Sequence, residues 1–254
     1  MASWSKWPMN DDVKWDKDEK TIGVLGLSPV ATADFFFRLT SQSKRKDWLY
    51  PRIILDCNPK IPSRGRYFAL GETDPVPYIR DGIVALHDAG ADFVVIPCNT
   101  AHTLYDRFAK DISVPVPNIV DITTIAALKN GLRKPLVLST STTRDYGLYD
   151  ESFLCHNIEV TQFPNQELVT QGIEAVKQNL DFSGITDSII KIIDSIPNID
   201  SVIFGCTEVS VLMSDMIEKG TSKIMCLDSN QALADFCIDY VANGRADSRI
   251  RMFA

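Results

Sequence analysis

Two cysteines sit in matched surroundings. Phe93-Val94-Val95-Ile96-Pro97-Cys98-Asn99-Thr100 is a short apolar run that ends in one thiol and turns at once to small polar residues. Ser201-Val202-Ile203-Phe204-Gly205-Cys206-Thr207-Glu208 repeats the phrase in the second half of the chain. Paired thiols could serve as a redox couple, a metal site or two proton-transfer groups. Redox pairs usually come as a close Cys-x-x-Cys, and a metal would need two further ligands at short spacing; neither pattern occurs beside these cysteines. Moving a proton across one carbon needs a thiolate on one face and a thiol on the other, so the residues lean toward an isomerase.

Such a pair has to be held by strands. An apolar run of this length delivering a side chain at its end reads as a buried parallel strand. Helical segments, Tyr78–Gly90 and Gly184–Ile196, precede the two copies, and further helices follow them, from Asn99 to about Lys110 and from about Glu208 to Gly220. A thiol at the start of a helix is expected to have its pKa lowered from the roughly 8.5 of free cysteine. Elsewhere Thr21–Gly26, Arg52–Asp56, Val116–Val120, Leu136–Ser139 and Ile224–Leu227 read as strands. Pro29–Gln42, Pro77–Gly90, Asp121–Gly131, Asn165–Asn179 and Gln231–Asn243 read as helices, with Asp121 and Asp228 as expected N-caps. This alternation predicts an α/β fold of two similar lobes, with parallel-type sheets flanked by helices and a cleft between them.

Several groups are candidates to line that cleft. Cys57–Arg66 is rich in Pro and Gly and reads as an irregular binding loop, in which Arg64 or Arg66 could clamp a carboxylate. Ser139-Thr140-Ser141-Thr142-Thr143 presents five hydroxyls at a strand end, equally an anion site or a polar turn. His102, four residues after Cys98, could face the cleft in support; its counterpart after Cys206 is Ser210. His87 and His156 lack catalytic context, and Cys57, Cys155, Cys226 and Cys237 read as structural. Gly23 and Gly26 do not form G-x-G-x-x-G, so no dinucleotide is expected.

Bulk properties bound the function classes. The 254 residues are 45% hydrophobic and 23% charged, ordinary for a globular protein with a real core. A net charge of −7 argues against nucleic acid, with Lys44-Arg45-Lys46 as the one basic run. No stretch approaches the roughly 18 apolar residues of a membrane span. Met1–Lys20, with Trp4, Trp7 and Trp15 among charges, has no apolar signal core and reads as an extension. A cytoplasmic, disulfide-free protein is expected.

Pro97-Cys98-Asn99-Thr100-Ala101-His102 and Gly205-Cys206-Thr207-Glu208 resemble the paired cysteine motifs of the aspartate/glutamate racemase superfamily. Asn58-Pro59-Lys60-Ile61-Pro62-Ser63-Arg64 is similar to the loop of its aspartate racemase branch, and the resemblance runs from Ile22 to about Asp228. It implies two α/β lobes related by a pseudo-twofold, divided as 21–117 plus 228–254 and 118–227. It also implies no pyridoxal phosphate, metal or nucleotide, and commonly a homodimer. Carried over by position, Cys98 and Cys206 are the acid/base pair. Arg64 and Lys177 meet substrate carboxylates, with Thr140 and Thr143 as carboxylate-holding hydroxyls, while Asn99, Thr100 and Thr207 line the site. Gly26-Leu27-Ser28-Pro29 departs from the family's Gly-Gly-Met-Gly-Pro in a loop that approaches the substrate. The implied activity is cofactor-independent interconversion of L- and D-aspartate. Glutamate or another acidic amino acid is the nearest alternative, and a silent dicarboxylate-binding protein is the alternative from another class.

Overall fold

The computed structural model describes residues 19–42, 49–214, 216 and 224–253. The tryptophans of the extension and the Lys44–Lys46 run lie outside the described residues, as does the expected end of a helix at Gly220.

Alternation of strand and helix organises the chain from its start. β1 (Ile22–Gly26) is buried at every position and pairs in parallel with β2 (Ile53–Cys57) and β3 (Phe93–Val95), giving the order β2-β1-β3. Between them run α1 (Pro29–Ser41), α2 (Arg64–Leu70) and α3 (Val76–Asp88). After β3 come a 3₁₀ segment (Asn99–Leu104), α4 (Tyr105–Ala109), the short β4 (Val116–Pro117) and α5 (Ile119–Lys129).

A second parallel sheet follows. β5 (Pro135–Leu138), β6 (Thr161–Gln162), β7 (Ser201–Phe204) and β8 (Met225–Asp228) assemble in the order β6-β5-β7-β8. They alternate with α6 (Ser141–Asp145), α7 (Leu148–Leu154), α8 (Gln166–Lys177), α9 (Ser183–Ser195) and α10 (Thr207–Leu212). The long α11 (Ser229–Asn243) leads to β9 (Met252–Phe253), which pairs antiparallel with β4.

Side chains on a strand alternate between its faces, and both faces of each sheet are used. Leu25 and Val94 point to the outer face of the first sheet, where Ile79, Ile83 and Leu86 of α3 and Phe108 cover them. Val202 and Phe204 meet Ile173 of α8 and Ile189 and Ile193 of α9 on the outer face of the second sheet. The inner faces share one core. Ile22, Val24 and Val95 from the first sheet and Val137 and Ile203 from the second close on Ile119 and Val120 of α5 and Leu233 and Ala234 of α11. Parallel sheets covered by helices on both faces are the α/β architecture expected.

Local boundaries differ in three places. Residues Val116–Val120 do not continue as a strand, because the Asn118 side chain accepts from the amides of Val120 and Asp121 and starts α5 at Ile119. Asp121 is therefore not the N-cap; it receives a bidentate ion pair from Arg251. The Cys57–Arg66 stretch is not irregular to its end, since Ser63 accepts from the Arg66 amide and caps α2. Asp228 does cap α11, accepting from the amides of Asn230 and Gln231.

Candidate active site

Both cysteines occupy the same structural position. Cys98 precedes the 3₁₀ segment with φ −157° and ψ 101°, and Cys206 precedes α10 with φ −151° and ψ 135°. Each is an extended N-cap residue just beyond the carboxyl end of a parallel strand, where crevices form in open α/β sheets. The fastening is repeated too. His102 Nδ1 lies 2.9 Å from the Cys98 carbonyl oxygen, and the Ser210 hydroxyl donates to the Cys206 carbonyl at 3.5 Å. His102 is thus a structural clasp and does not face the cleft. Its ring is buried beside Tyr105 and Phe108, and burial pushes its pKa down to about 4.

A cavity of about 360 Å³ is walled by Arg64, Cys98 and Thr100 and by Thr140, Lys177, Thr207 and Glu208; Cys206 itself is not in its wall. A larger hollow of about 640 Å³, beside Tyr105 and Arg251, has neither Cys98 nor Cys206 in its wall, where the thiol is that of Cys155. Cys98 is half-buried at the wall; Cys206 is only 3% exposed and lies under Thr207 and Glu208. Gly205 permits that placement, since a Cβ there would stand 2.7 Å from the Tyr149 ring and 3.0 Å from Val137.

The expected lowering of both thiol pKa values is not what Cys206 experiences. Burial, and then the charge of Glu208, push it well up, and the amides of Val209 and Glu208 at the start of α10 only partly oppose this. Its Sγ donates to Glu208 Oε2 at 3.2 Å.

Arg64, the first residue of α2, directs Nη2 to Cys98 Sγ at 3.7 Å and Nη1 to the Pro62 carbonyl at 3.3 Å. Its Nε is buried without a partner, and it has no carboxylate partner among the described residues. It is therefore a cation available to an anionic ligand. Arg66 is not available in that way, because Glu72 holds it. Lys177 reaches the cavity from the last turn of α8 but is paired with Glu174 at 2.8 Å. Burial pulls its pKa down; the Glu174 contact and the charge of Glu208 outweigh that and leave it raised.

Hydroxyls join the two lobes. Thr100 Oγ1 lies 2.9 Å from Thr140 Oγ1 and 3.1 Å from Thr143 Oγ1, and Thr140 donates to Thr143 at 3.0 Å. A hydroxyl of this trio that turned its one proton toward a carboxylate would give up a donation within it, while Thr140 would still accept from the Thr143 amide. Thr140 is at the same time the N-cap of α6, so the hydroxyl run forms the capped polar turn that was one of its two readings. Thr100, Thr140 and Thr207 line the cavity, whereas Thr143 and Asn99 sit behind its wall, each 1% exposed. Asn99 is engaged at both ends, donating to Ser229 Oγ at 2.9 Å and accepting from Tyr149 at 2.6 Å. Cys237 is buried and Cys226 half-buried as structural residues would be, but Cys57 and Cys155 are exposed and support no core.

Sequence reasoning missed the carboxylates. Thr170, Ile173, Glu174 and Lys177 share one face of α8 at helical spacing, a signal that pointed to Glu174 once Lys177 was placed. Glu208 follows Cys206 by two residues in the first turn of α10, yet only the burial of that turn sets it against the thiol.

The site thus combines two cysteines at equivalent strand ends with a small cavity whose wall holds Cys98, Arg64, Lys177 and several hydroxyls. The Asp/Glu/Hydantoin racemase family profile matches residues 24–237, and the chain belongs to this family. It is 28% identical to the broad specificity amino-acid racemase RacX of Bacillus subtilis over 84% of this chain and 94% of that one. A glutamate racemase of Aquifex pyrophilus is 28% identical over 65% of this chain and 69% of that one. Among solved structures, Picrophilus torridus aspartate racemase superposes with a TM-score of 0.79 at 31% identity, covering 88% of this chain and 94% of that one. The chain is an isomerase of the racemase type.

Proposed function

We propose that this racemase interconverts L- and D-aspartate by two-base proton transfer at Cα. The observation that supports the reading is that Cys98 and Cys206 occupy equivalent strand ends, with Cys98 and Arg64 in the wall of one cavity and Thr207 and Glu208, which adjoin Cys206, in the same wall. One sulfur, as thiolate, removes the α-proton while the other, as thiol, delivers a proton to the opposite face. The charge left on Cα passes into the α-carboxylate, which the Thr100–Thr140 hydroxyls are suited to hold. Arg64 then meets the side-chain carboxylate, as in the loop it resembles. Every proton transfer uses side chains of the chain itself, so no cofactor enters the proposal. Asn99 and Thr143 take supporting parts behind the wall, and Thr207 contributes a hydroxyl beside Cys206.

Broader specificity is the second reading, and a definite feature favours it. Lys177 already has a carboxylate partner in Glu174, as Arg66 has in Glu72, and Leu70 and Ile173 add apolar surface to the cavity. Similarity to a broad-specificity racemase as well as to an aspartate racemase agrees with this. The deciding measurement is incubation of the purified protein with L-aspartate in heavy water without added pyridoxal phosphate, beside glutamate and neutral amino acids. Formation of D-aspartate with α-deuterium supports the proposal, faster racemisation of a neutral amino acid moves the assignment to the broader reading, and binding without exchange defeats both.

We further infer the lobe division 21–117 plus 228–254 and 118–227, supported by the grouping of strands into two parallel sheets, and a homodimer, supported by family habit. A monomer by light scattering at micromolar concentration would remove the dimer.

A further inference from the structure

The buried carboxylate of Glu208 has no part in the two-thiol scheme, yet it stands in direct contact with one of the two thiols. Its Oε2 accepts from Cys206 Sγ at 3.2 Å and from the Thr207 hydroxyl at 3.3 Å. The residue is 7% exposed and still forms part of the cavity wall. We propose that Glu208 is the proton store of the racemase: it takes the proton that one cysteine must lose before it can act as a base, and gives it back after turnover. This rests on the racemase reading above.

Charge conservation at a buried pair is the reason for such a store. A Cys206 thiolate beside a Glu208 carboxylate would put two negative charges on neighbouring buried groups, an arrangement that like-charge repulsion and desolvation both oppose. Sharing one proton keeps the pair at a single negative charge whichever atom holds it. Lys177 at the end of α8 supplies a positive charge coupled to both Cys206 and Glu208, with Glu174 as its own partner on the same helix. Tyr149 approaches Cys206 from α7, and burial keeps its phenol protonated. Across the cavity the facing groups are Cys98 and Arg64.

The protons balance in both directions. In the proposed cycle both thiols start with a proton and Glu208 without one. Cys206 passes its proton to Glu208, and the resulting thiolate removes the α-hydrogen. The Cys98 thiol then protonates the opposite face of the carbon. Glu208 ends protonated and Cys98 ends as thiolate; the stored proton moves to Cys98 through water in the cavity and restores the start. In the reverse direction Glu208 receives the Cys98 proton by the same route, and after Cys206 has protonated the carbon it hands that proton to Cys206 directly.

The test is Glu208→Gln, which keeps the size and an acceptor oxygen but cannot take a proton. Racemisation of L- and D-aspartate, and of the best substrate of the parent if that differs, should fall at pH 7 by about 100-fold or more, within the range of general acid–base effects. By the equality of the two directions at equilibrium, kcat/KM should fall equally for both enantiomers. The deficit should shrink as pH rises, because hydroxide can replace the carboxylate as proton acceptor. Removing the negative charge by itself eases ionisation of Cys206, so a carboxylate that merely raised the thiol pKa would leave the variant as fast as the parent or faster. Glu208→Asp, which retains the acid but shortens it, should recover part of the activity. Rates within threefold of the parent in folded Glu208→Gln, or a loss that is the same at every pH, would overturn the proton store and leave the two-thiol reading standing. A parent that racemises no amino acid overturns that reading and this inference together.

Discussion

The Tyr149 hydroxyl donates to Asn99 Oδ1 at 2.6 Å, so a helix of the second lobe holds the residue that follows Cys98 in the first. Tyr149 is also the ring that Gly205 accommodates next to Cys206. One buried side chain thus touches the segments of both thiols.

Replacing Tyr149 with Phe should leave the Asn99 carbonyl buried without a donor. The expected cost is about 1–3 kcal/mol of stability, measured by denaturant unfolding. Activity should fall as well, because the turn after Cys98 loses its anchor. A variant within about 0.5 kcal/mol of the parent, as for an ordinary surface substitution, would show that this bond does not fasten the lobes.

Cys98→Ser and Cys206→Ser should each abolish racemisation of both enantiomers while preserving the fold. Serine is nearly the same size, but its hydroxyl is far too weak an acid to replace a thiol in proton transfer. Each variant should retain at most α-hydrogen exchange of one enantiomer, and the two should differ in which. Proton NMR of both enantiomers in heavy water, with circular dichroism to check folding, reads this. Substantial racemisation by either folded variant defeats the two-base mechanism.

Arg64→Ala should reduce kcat/KM for L-aspartate by one to two decades, equivalent to losing a charge-assisted contact of roughly 1.5–3 kcal/mol. Lys177→Ala tests side-chain recognition more narrowly. If Lys177 meets a substrate carboxylate, the loss for aspartate should be of the same order while a neutral amino acid loses less than about threefold. Equal losses on both substrates would assign Lys177 to its contacts with Glu174 and the Cys206 region, not to specificity.

His102 should make the protein acid-sensitive. Burial pushes its folded pKa down to about 4 from the ordinary 6.5, against the opposing charge of Asp121 and with that of Arg251. Between those values the unfolded chain binds the proton and the folded chain does not, so stability rises with pH across that window. It is fully present above about 6.5 and lost progressively toward pH 4, by an amount on the order of 3 kcal/mol. His102→Gln should flatten the pH dependence of the unfolding free energy in this range. An unchanged slope would mean that His102 titrates normally in the folded protein.

Much of the site was written locally. An apolar run that ends in Cys98 or Cys206 carries its own strand signal, and a residue at the end of a parallel strand reaches the crevice in any fold of this class. Helix periodicity placed Ile79, Ile83 and Leu86 inward, and Asp228 capped α11 as its position before the helix implied. Such features depend on neighbours within a few residues, which a sequence displays in order.

Asp121, His102 and Cys206 show where that information stops. Asp121 looked like a cap, but Asn118 took the backbone amides and Arg251, from the far end of the chain, took the carboxylate. His102 had the right spacing to face the cleft, yet a 3₁₀ rather than an α-helical turn follows Cys98, and its ring is buried against Tyr105 and Phe108. Cys206 began a helix as expected, but the packing of Tyr149 and Thr207 around it makes desolvation the largest influence on its thiol and brings the Glu208 charge into play. Residue types and short-range spacing picked out the two thiols and their strand-end positions, because covalent neighbours and hydrogen-bond periodicity are local. Protonation state, ion-pair partners and the final wall of the cavity depend on burial and on charges distant in sequence, and only the folded chain brings those together.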